Sequence, residues 1–104
     1  MWLRAEIVEV MSLLEQGMNS LHPEHRTAIA KSLIPPRWIP VADCPGESVV
    51  AVADIHGKLL YWSDVEGGWE LDELGPDGSI QSRGCSQFEL RHVTHQAFGV
   101  PSAA

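Results

Sequence analysis

The stretch SVVAVADIHGKLLYWS, residues 48–63, decides the fold. Its two arms are rich in β-branched and aromatic residues and flank His56-Gly57, a pair suited to a tight turn, so the stretch predicts a β-hairpin. Both arms carry apolar side chains on both faces, which is typical of strands in the middle of a sheet that is covered from both sides. The hairpin is therefore predicted to form the centre of an antiparallel sheet.

The sheet is predicted to continue downstream of this hairpin. After a Gly-Gly turn, residues 69–74 (WELDEL) alternate between apolar and acidic side chains, as a half-exposed strand does. A turn at residues 75–78 (GPDG) leads to a short strand over 79–82 and another over 87–93. We expect a meander of four or five strands that spans about residues 48–93.

Upstream of the sheet, the apolar residues follow the period of an α-helix. They recur at steps of three and four over residues 2–16, which predicts an amphipathic helix that Gly17 and Asn19-Ser20 end. A second helix is predicted over residues 23–33, because proline suits the first helical position and Pro35-Pro36 cannot continue a helix. The next segment, RWIPV, is expected to run extended.

These elements predict an α+β fold, with two N-terminal helices packed on an antiparallel four- to five-stranded β-meander. We expect one domain over residues 1–104, with a frayed tail over 99–104. Helices cover only one face of a single sheet, so the second apolar face needs the curled end of the sheet, RWIPV or another molecule. A homodimer or partner interface on that face is one hypothesis, and burial of Leu59 and Tyr61 within one chain would contradict it.

The charge of the chain is acidic and unevenly distributed. The net charge is −7, and residues 43–77 hold nine acidic residues against Lys58 alone. Such a field repels nucleic acid, whose phosphates require a basic surface, and attracts a basic protein partner. Solubility alone is the other explanation for the excess of acids.

The sequence also restricts the compartment. No apolar run approaches the length of a membrane span, and the acidic N-terminus, MWLRAEIVEV, differs from a signal peptide, so we expect a cytoplasmic protein with no membrane partner. Cys44 and Cys85 allow one disulfide, but reduced thiols are the expectation for a protein in the cytosol.

No pattern of residues predicts catalysis or a cofactor. Histidines are spaced H-x-x-H at His22/His25 and at His92/His95, and zinc binds imidazoles with such spacing. However, the two pairs lie at opposite ends of the chain, and neither has a glutamate at the right place for a zinc site. No nucleophile has an adjacent base, and no glycine-rich phosphate loop is present. We therefore predict no metal, no cofactor and no enzymatic activity.

Two binding functions remain as hypotheses. The first is binding of a basic protein, as an inhibitor or immunity protein does, through an acidic sheet face that carries aromatic residues. Its residues are Tyr61, Trp62, Asp64, Glu66, Trp69, Glu70 and Asp72. The alternative is binding of a small molecule in an aromatic-lined pocket between sheet and helices. Its residues are Trp38, Trp62, Trp69 and, as a polar contact, His95.

The motifs of the C-terminal two thirds resemble those of a known group of proteins. The run Trp38-Ile39-Pro40-Val41, the strand at Val49-Val50, Trp69 and Val93-Thr94-His95 lie within residues 37–101. This arrangement resembles a short domain family of unknown function that is common in phage and prophage genes. Orphan proteins of bacterial mobile gene cassettes are a similar alternative. The resemblance implies an accessory gene product of a mobile element and implies no activity.

Overall fold

The structure, a computed structural model, describes residues 6–63, 67–81 and 88–99. Within these ranges, four strands form one antiparallel sheet in the order β1-β2-β3-β4. This architecture confirms the predicted α+β fold, with two N-terminal helices followed by a four-stranded meander, and adds a C-terminal helix. In chain order the elements are α1 (Ile7–Asn19), α2 (Pro23–Ser32), β1 (Leu33–Pro40), β2 (Ser48–Ile55), β3 (Lys58–Ser63), β4 (Gly68–Asp72) and α3 (Leu90–Phe98).

The predicted hairpin is the centre of the sheet, since β2 and β3 are its two inner strands. His56 and Gly57 both have positive φ, of 55° and 85°, as a two-residue hairpin turn with the twist of the sheet requires. Oδ1 of Asp54 accepts a hydrogen bond of 3.0 Å from the backbone N–H of Gly57 and fastens the turn. Sequence and local geometry therefore agree at this turn.

A β-bulge in β2 decides which side chains face the helices. The pairing of β2 with β3 shifts between Ala51 and Ala53, so Val52 is the extra residue of the bulge. As a result Ala53 joins Val50 and Val52 on the face covered by helices, here called the helix face. The simple alternation in the sequence predicts Ala53 on the same face as Ala51, and the bulge makes that prediction wrong.

The helix face holds the larger of two cores. α1, α2 and α3 all pack on it, and their buried residues form one cluster with those of β2, β3 and β4. Burial of this many apolar side chains is the main stabilising contribution to a domain of this size. The cluster contains Val10, Leu14, Leu21, Ile29, Val50, Val52, Ala53, Ile55, Leu60, Trp69, Leu90 and Val93.

The opposite face of the sheet, here called the second face, is covered by the chain itself. Residues 73–81, which follow β4, run back beneath the sheet to the end of β1, where the backbone N–H of Ile80 donates to the carbonyl of Pro40. Ile80 belongs to the same cluster as Leu59 and Tyr61, which are 5% and 0% exposed. The second face is thus buried within one chain, which removes the reason for expecting a homodimer through it.

The prediction for the C-terminal part of the meander is wrong. Residues 90–98 form α3 in place of the strand predicted over 87–93, and its buried residues Leu90, Val93 and Thr94 follow helical spacing. The strand predicted over 79–82 is reduced to a single parallel bridge between Ile80 and Val41. Residues 82–87 and 100–104, which include most of the predicted frayed tail, lie outside the described residues.

The helix and strand boundaries upstream also differ in part from the prediction. α1 continues through Gly17 to Asn19, and its predicted start at residue 2 lies outside the described residues. α2 ends at Ser32, one residue before the predicted end. The edge strand β1 starts directly after it and contains both prolines and most of RWIPV, the segment predicted to be extended. None of the helices in the described ranges has the length and apolarity needed to cross a bilayer.

Candidate functional site

The residues predicted to bind a partner lie on two different faces of the sheet. Trp62 and Trp69 pair across β3 and β4 on the helix face, whereas Tyr61 and its partner Glu70 lie on the second face together with Asp72. The two remaining residues of that set, Asp64 and Glu66, are outside the described residues. The set therefore does not form one continuous surface.

Burial further restricts which aromatic side chains another molecule can touch. Tyr61 is 0% exposed and Trp69 is 3% exposed, so neither offers a large surface to a partner. Trp62 is half-buried and lies next to Trp69, with ring centroids 5.2 Å apart and ring planes at 73°. The edge-to-face pair stabilises the β3–β4 pairing and leaves part of Trp62 accessible.

This tryptophan pair forms one wall of a cavity of about 210 Å³ between the sheet, α1 and α3. The end of α1 and the beginning of α3 form the opposite side. The cavity is thus assembled from three parts of the chain that are distant in sequence: the end of α1, the β3–β4 pair and the start of α3. The residues that line it are Gly17, Ser20, Trp62, Gly67, Trp69, Phe88, Glu89, Leu90 and Arg91.

Local features of the sequence explain why the cavity forms here. Trp62 and Trp69 pair because the antiparallel register of β3 and β4 places them directly opposite each other. The backbone N–H of Trp69 donates a 2.9 Å hydrogen bond to the carbonyl of Phe88, which ties the chain before α3 to β4. Gly17 lets α3 approach α1, since a Cβ at that position would lie only 3.1 Å from Cβ of Leu90.

Two opposite charges lie on the cavity lining at the start of α3. Nε of Arg91 is 3.0 Å from Oε2 of Glu89, and both side chains are more than half exposed. Because water screens such an exposed pair, it contributes little to stability, and both groups stay accessible to a bound molecule. Nδ1 of His92 accepts a hydrogen bond from the backbone N–H of Glu89 and fixes this first turn.

The structure separates the four residues of the predicted pocket. Trp62 and Trp69 line the cavity. Trp38 lies on the same face in the same cross-strand row, paired with Val50, which in turn pairs with Trp62, but it is not part of the cavity lining. His95 packs on His25 with ring centroids 5.6 Å apart and is also not part of the lining.

Sequence reasoning missed the other seven lining residues, of which Phe88, Glu89 and Arg91 supply the third ring and the two charges. All three belong to the segment that was predicted to be a strand. The signal that could have found them is the spacing of Leu90, Val93 and Ala97, which marks one face of a helix and places residue 89 at its N-cap.

The histidines do not assemble into a metal centre in the described part of the chain, where no group of three or more candidate ligands is close enough to hold an ion. One histidine of each H-x-x-H pair caps a helix. Nδ1 of His22 accepts from the backbone N–H of Glu24, and Nδ1 of His92 accepts from that of Glu89. A neutral imidazole has one acceptor nitrogen, so neither has a lone pair left for a metal.

Asp72, the last residue of β4, and Glu73, which follows it, border a separate open groove of about 460 Å³. Asp72 is half-buried there, and its Oδ2 accepts a 2.6 Å hydrogen bond from the hydroxyl of Tyr61. Glu73 is exposed beside it. Lys58, Leu71, Ile80 and Gln81 complete the lining of the groove.

Cys44 is exposed in the loop after β1, and Cys85 lies outside the described residues. The resemblance to phage-type domains stays a prediction. No family model, no curated protein and no solved structure matches the chain.

Proposed function

We propose that the protein is a binding protein, without enzymatic activity, that takes a small molecule into the cavity beside Trp62 and Trp69. The observation that carries the proposal is the position of Trp62, a large aromatic side chain left half-buried at an opening in the main core. Sites for small molecules are concave, mostly apolar and supplied with a few polar groups. Glu89 and Arg91 supply such groups at this cavity.

The size of the cavity limits the ligand. Sites for drug-sized molecules enclose roughly 300–1,000 Å³. A cavity of about 210 Å³ is smaller than that range and fits a small metabolite or one end of a larger molecule. The proposal includes a cytoplasmic location, which is an expectation from the sequence.

Indole N–H signals in a two-dimensional ¹H–¹⁵N spectrum test this function directly. We expect members of a panel of small aromatic and aliphatic amines, acids and alcohols to shift the signals of Trp62 and Trp69 and to leave that of Trp38 in place. Trp38 is the matched reference, because it is half-buried on the same face and in the same cross-strand row but outside the cavity.

Two matched variants complete the test. Trp62→Leu is expected to abolish the shifts, and Trp38→Leu is expected to preserve them. If no probe at millimolar concentration moves either cavity tryptophan, or if Trp38→Leu has the same effect as Trp62→Leu, the proposal is wrong.

A second function, binding of a basic protein, is favoured by the groove at the end of β4, where the exposed Glu73 and the half-buried Asp72 lie beside Leu71 and Ile80. Complementary charge there would increase the association rate and specificity. We expect a lysine-rich peptide to bind at low salt and dissociate at high salt. Glu73→Lys should abolish binding, and Glu9→Lys, an exposed acid on α1, should not. If both variants weaken binding equally, the peptide responds to the overall negative charge of the protein and not to the groove, and this second function is wrong.

A further inference from the structure

We propose that the ligand of the aromatic cavity is an organic cation of the alkylated ammonium class, and this inference rests on the proposed small-molecule function. Three aromatic side chains line the cavity: Trp62, Trp69 and Phe88. The planes of the Trp62 and Trp69 indoles lie at 73° to each other, so the two rings form a corner and do not stack face to face. Aromatic side chains grouped around one small space attract quaternary ammonium groups through their electron-rich rings.

The charge of the protein favours a cation over an anion. The net charge is −7, so the long-range field concentrates cations near the surface. At the cavity itself, the carboxylate of Glu89 provides a direct partner for a positive group. An alkylated ammonium needs no hydrogen-bond acceptor, which suits a lining composed mainly of rings and carbon.

Arg91 opposes the binding of a cation, and this allows the charge of the ligand to be tested. Its guanidinium is paired with Glu89 at 3.0 Å and lies on the same lining, so it reduces the attraction for a cation. The sign of the effect of each residue therefore identifies the charge of the ligand. A cation binds more weakly without Glu89 and more tightly without Arg91, whereas an anion shows the reverse of both.

Choline and its uncharged isostere 3,3-dimethylbutan-1-ol are the appropriate probes, since they share size and shape and differ in charge. We expect choline to bind about tenfold more tightly, which is the scale of a cation–aromatic interaction in a partly desolvated site. Shifts of the Trp62 and Trp69 indole signals give both affinities. Trp62→Leu should abolish binding of both probes, and Trp38→Leu should preserve it.

Variants of the two charged lining residues, Glu89 and Arg91, give the second measurement. Glu89→Gln keeps the size of the side chain and should weaken choline binding roughly two- to fivefold, while Arg91→Gln should strengthen it by a similar factor. In both variants the affinity for the neutral isostere should change by a smaller factor than the affinity for choline, because the isostere carries no charge. A trimethyl-lysine peptide, tested in parallel, assigns the source: tighter binding than choline means a protein side chain, and weaker binding means a free small molecule.

The outcomes separate this inference from the function on which it rests. If the neutral isostere binds as tightly as choline and both are lost in Trp62→Leu, small-molecule binding stands and the preference for a cation is wrong. If Arg91→Gln weakens choline binding, the proposed preference for a cation is likewise wrong, while small-molecule binding stands. If neither these probes nor the wider panel moves the cavity tryptophans, both proposals are overturned.

Discussion

The hydroxyl of Tyr61, in the centre of the sheet, donates a 2.6 Å hydrogen bond to Oδ2 of Asp72 at the end of the edge strand β4. Tyr61 is 0% exposed, so this bond satisfies a polar group within a buried cluster. It also gives Asp72 a structural role. An acidic side chain that the sequence assigns to a partner surface is held by the protein's own core.

Tyr61→Phe should lower the free energy of unfolding by about 1–2 kcal/mol, because a hydrogen bond to a charged acceptor is lost while the aromatic packing stays. Urea denaturation followed by tryptophan fluorescence measures the change. In a double-mutant cycle with Asp72→Asn, the coupling energy should be about 1 kcal/mol. Glu73→Gln, at the exposed neighbouring position, should show no coupling to Tyr61→Phe, and equal coupling for both would contradict this role of Asp72.

Asp77 should titrate below the usual range of an aspartate. Its Oδ1 accepts a 2.7 Å hydrogen bond from the hydroxyl of Ser79 and a 3.1 Å bond from the Ser79 backbone N–H, and these bonds lower the pKa of the carboxyl from its ordinary 3.8. Because the folded pKa is the lower one, the stabilisation is complete above pH 3.8 and is lost as the pH falls through the folded value. This turn leads into Ile80, which covers the second face.

An NMR titration of the Asp77 side chain measures this pKa directly. Ser79→Ala removes the hydroxyl that is the largest cause of the shift, so the pKa of Asp77 in that variant should move back towards 3.8. A pKa that is the same in both proteins would show that the Ser79 hydroxyl has no influence on the carboxylate in solution.

His25 should be replaceable by an apolar residue without loss of stability. It is 3% exposed, packs on the rings of His95 and Phe98, and has no hydrogen bond from its ring among the described residues. Since a buried polar group without a partner costs about 1–3 kcal/mol, His25→Leu should leave the free energy of unfolding unchanged or raise it. His25→Ala leaves a void and should lower it by about 2 kcal/mol.

Denaturation curves of the two His25 variants at neutral pH decide this question. His95→Leu is the control, because His95 is exposed and its replacement removes no buried polar group. A loss of more than about 1 kcal/mol in His25→Leu would show that the ring makes a hydrogen bond that stabilises the α2–α3 contact.

The sequence predicts the centre of this fold well and its C-terminal part poorly, for physical reasons. The hairpin around His56 and Gly57 is determined by local turn chemistry and by apolar residues on both faces, and both signals are contained in residues 48–63. The segment after residue 87 is short, and Phe88 and Leu90 fit a period of two as well as the start of a helix. Only the register of Val93 and Ala97 distinguishes the two.

The candidate site was predictable only in part. The pairing of Trp62 with Trp69 follows from hairpin register, and the sequence placed both on one side of the sheet. The other half of the cavity depends on how α1 and α3 pack, which is a tertiary contact without a local signal. The cover of the second face by residues 73–81 is of the same kind. Without that contact in view, a second apolar face resembles an interface between molecules.

Gly17 has a structural role that differs from the one predicted from the sequence. The sequence predicts that Gly17 and Asn19-Ser20 together end α1. The helix does end at Asn19, with Ser20 as its C-cap, but Gly17 lies inside it. A Cβ there would be 3.1 Å from both Cβ and Cδ2 of Leu90. Cβ of Leu90 is fixed to the backbone of α3, so it can yield only if α3 moves. The glycine therefore permits the close contact between α1 and α3 that forms one side of the cavity.

Gly17→Ala should consequently lower the free energy of unfolding, although alanine normally stabilises a helix interior by about 1 kcal/mol relative to glycine. We expect the displacement of α3 to outweigh that gain and to shift the indole signals of Trp62 and Trp69. Gln16→Ala, at the exposed neighbouring position, should change neither quantity. A Gly17→Ala protein that is more stable and has unchanged tryptophan signals would show that α3 is not held against α1 at this point, and the cavity would then lack one of its walls.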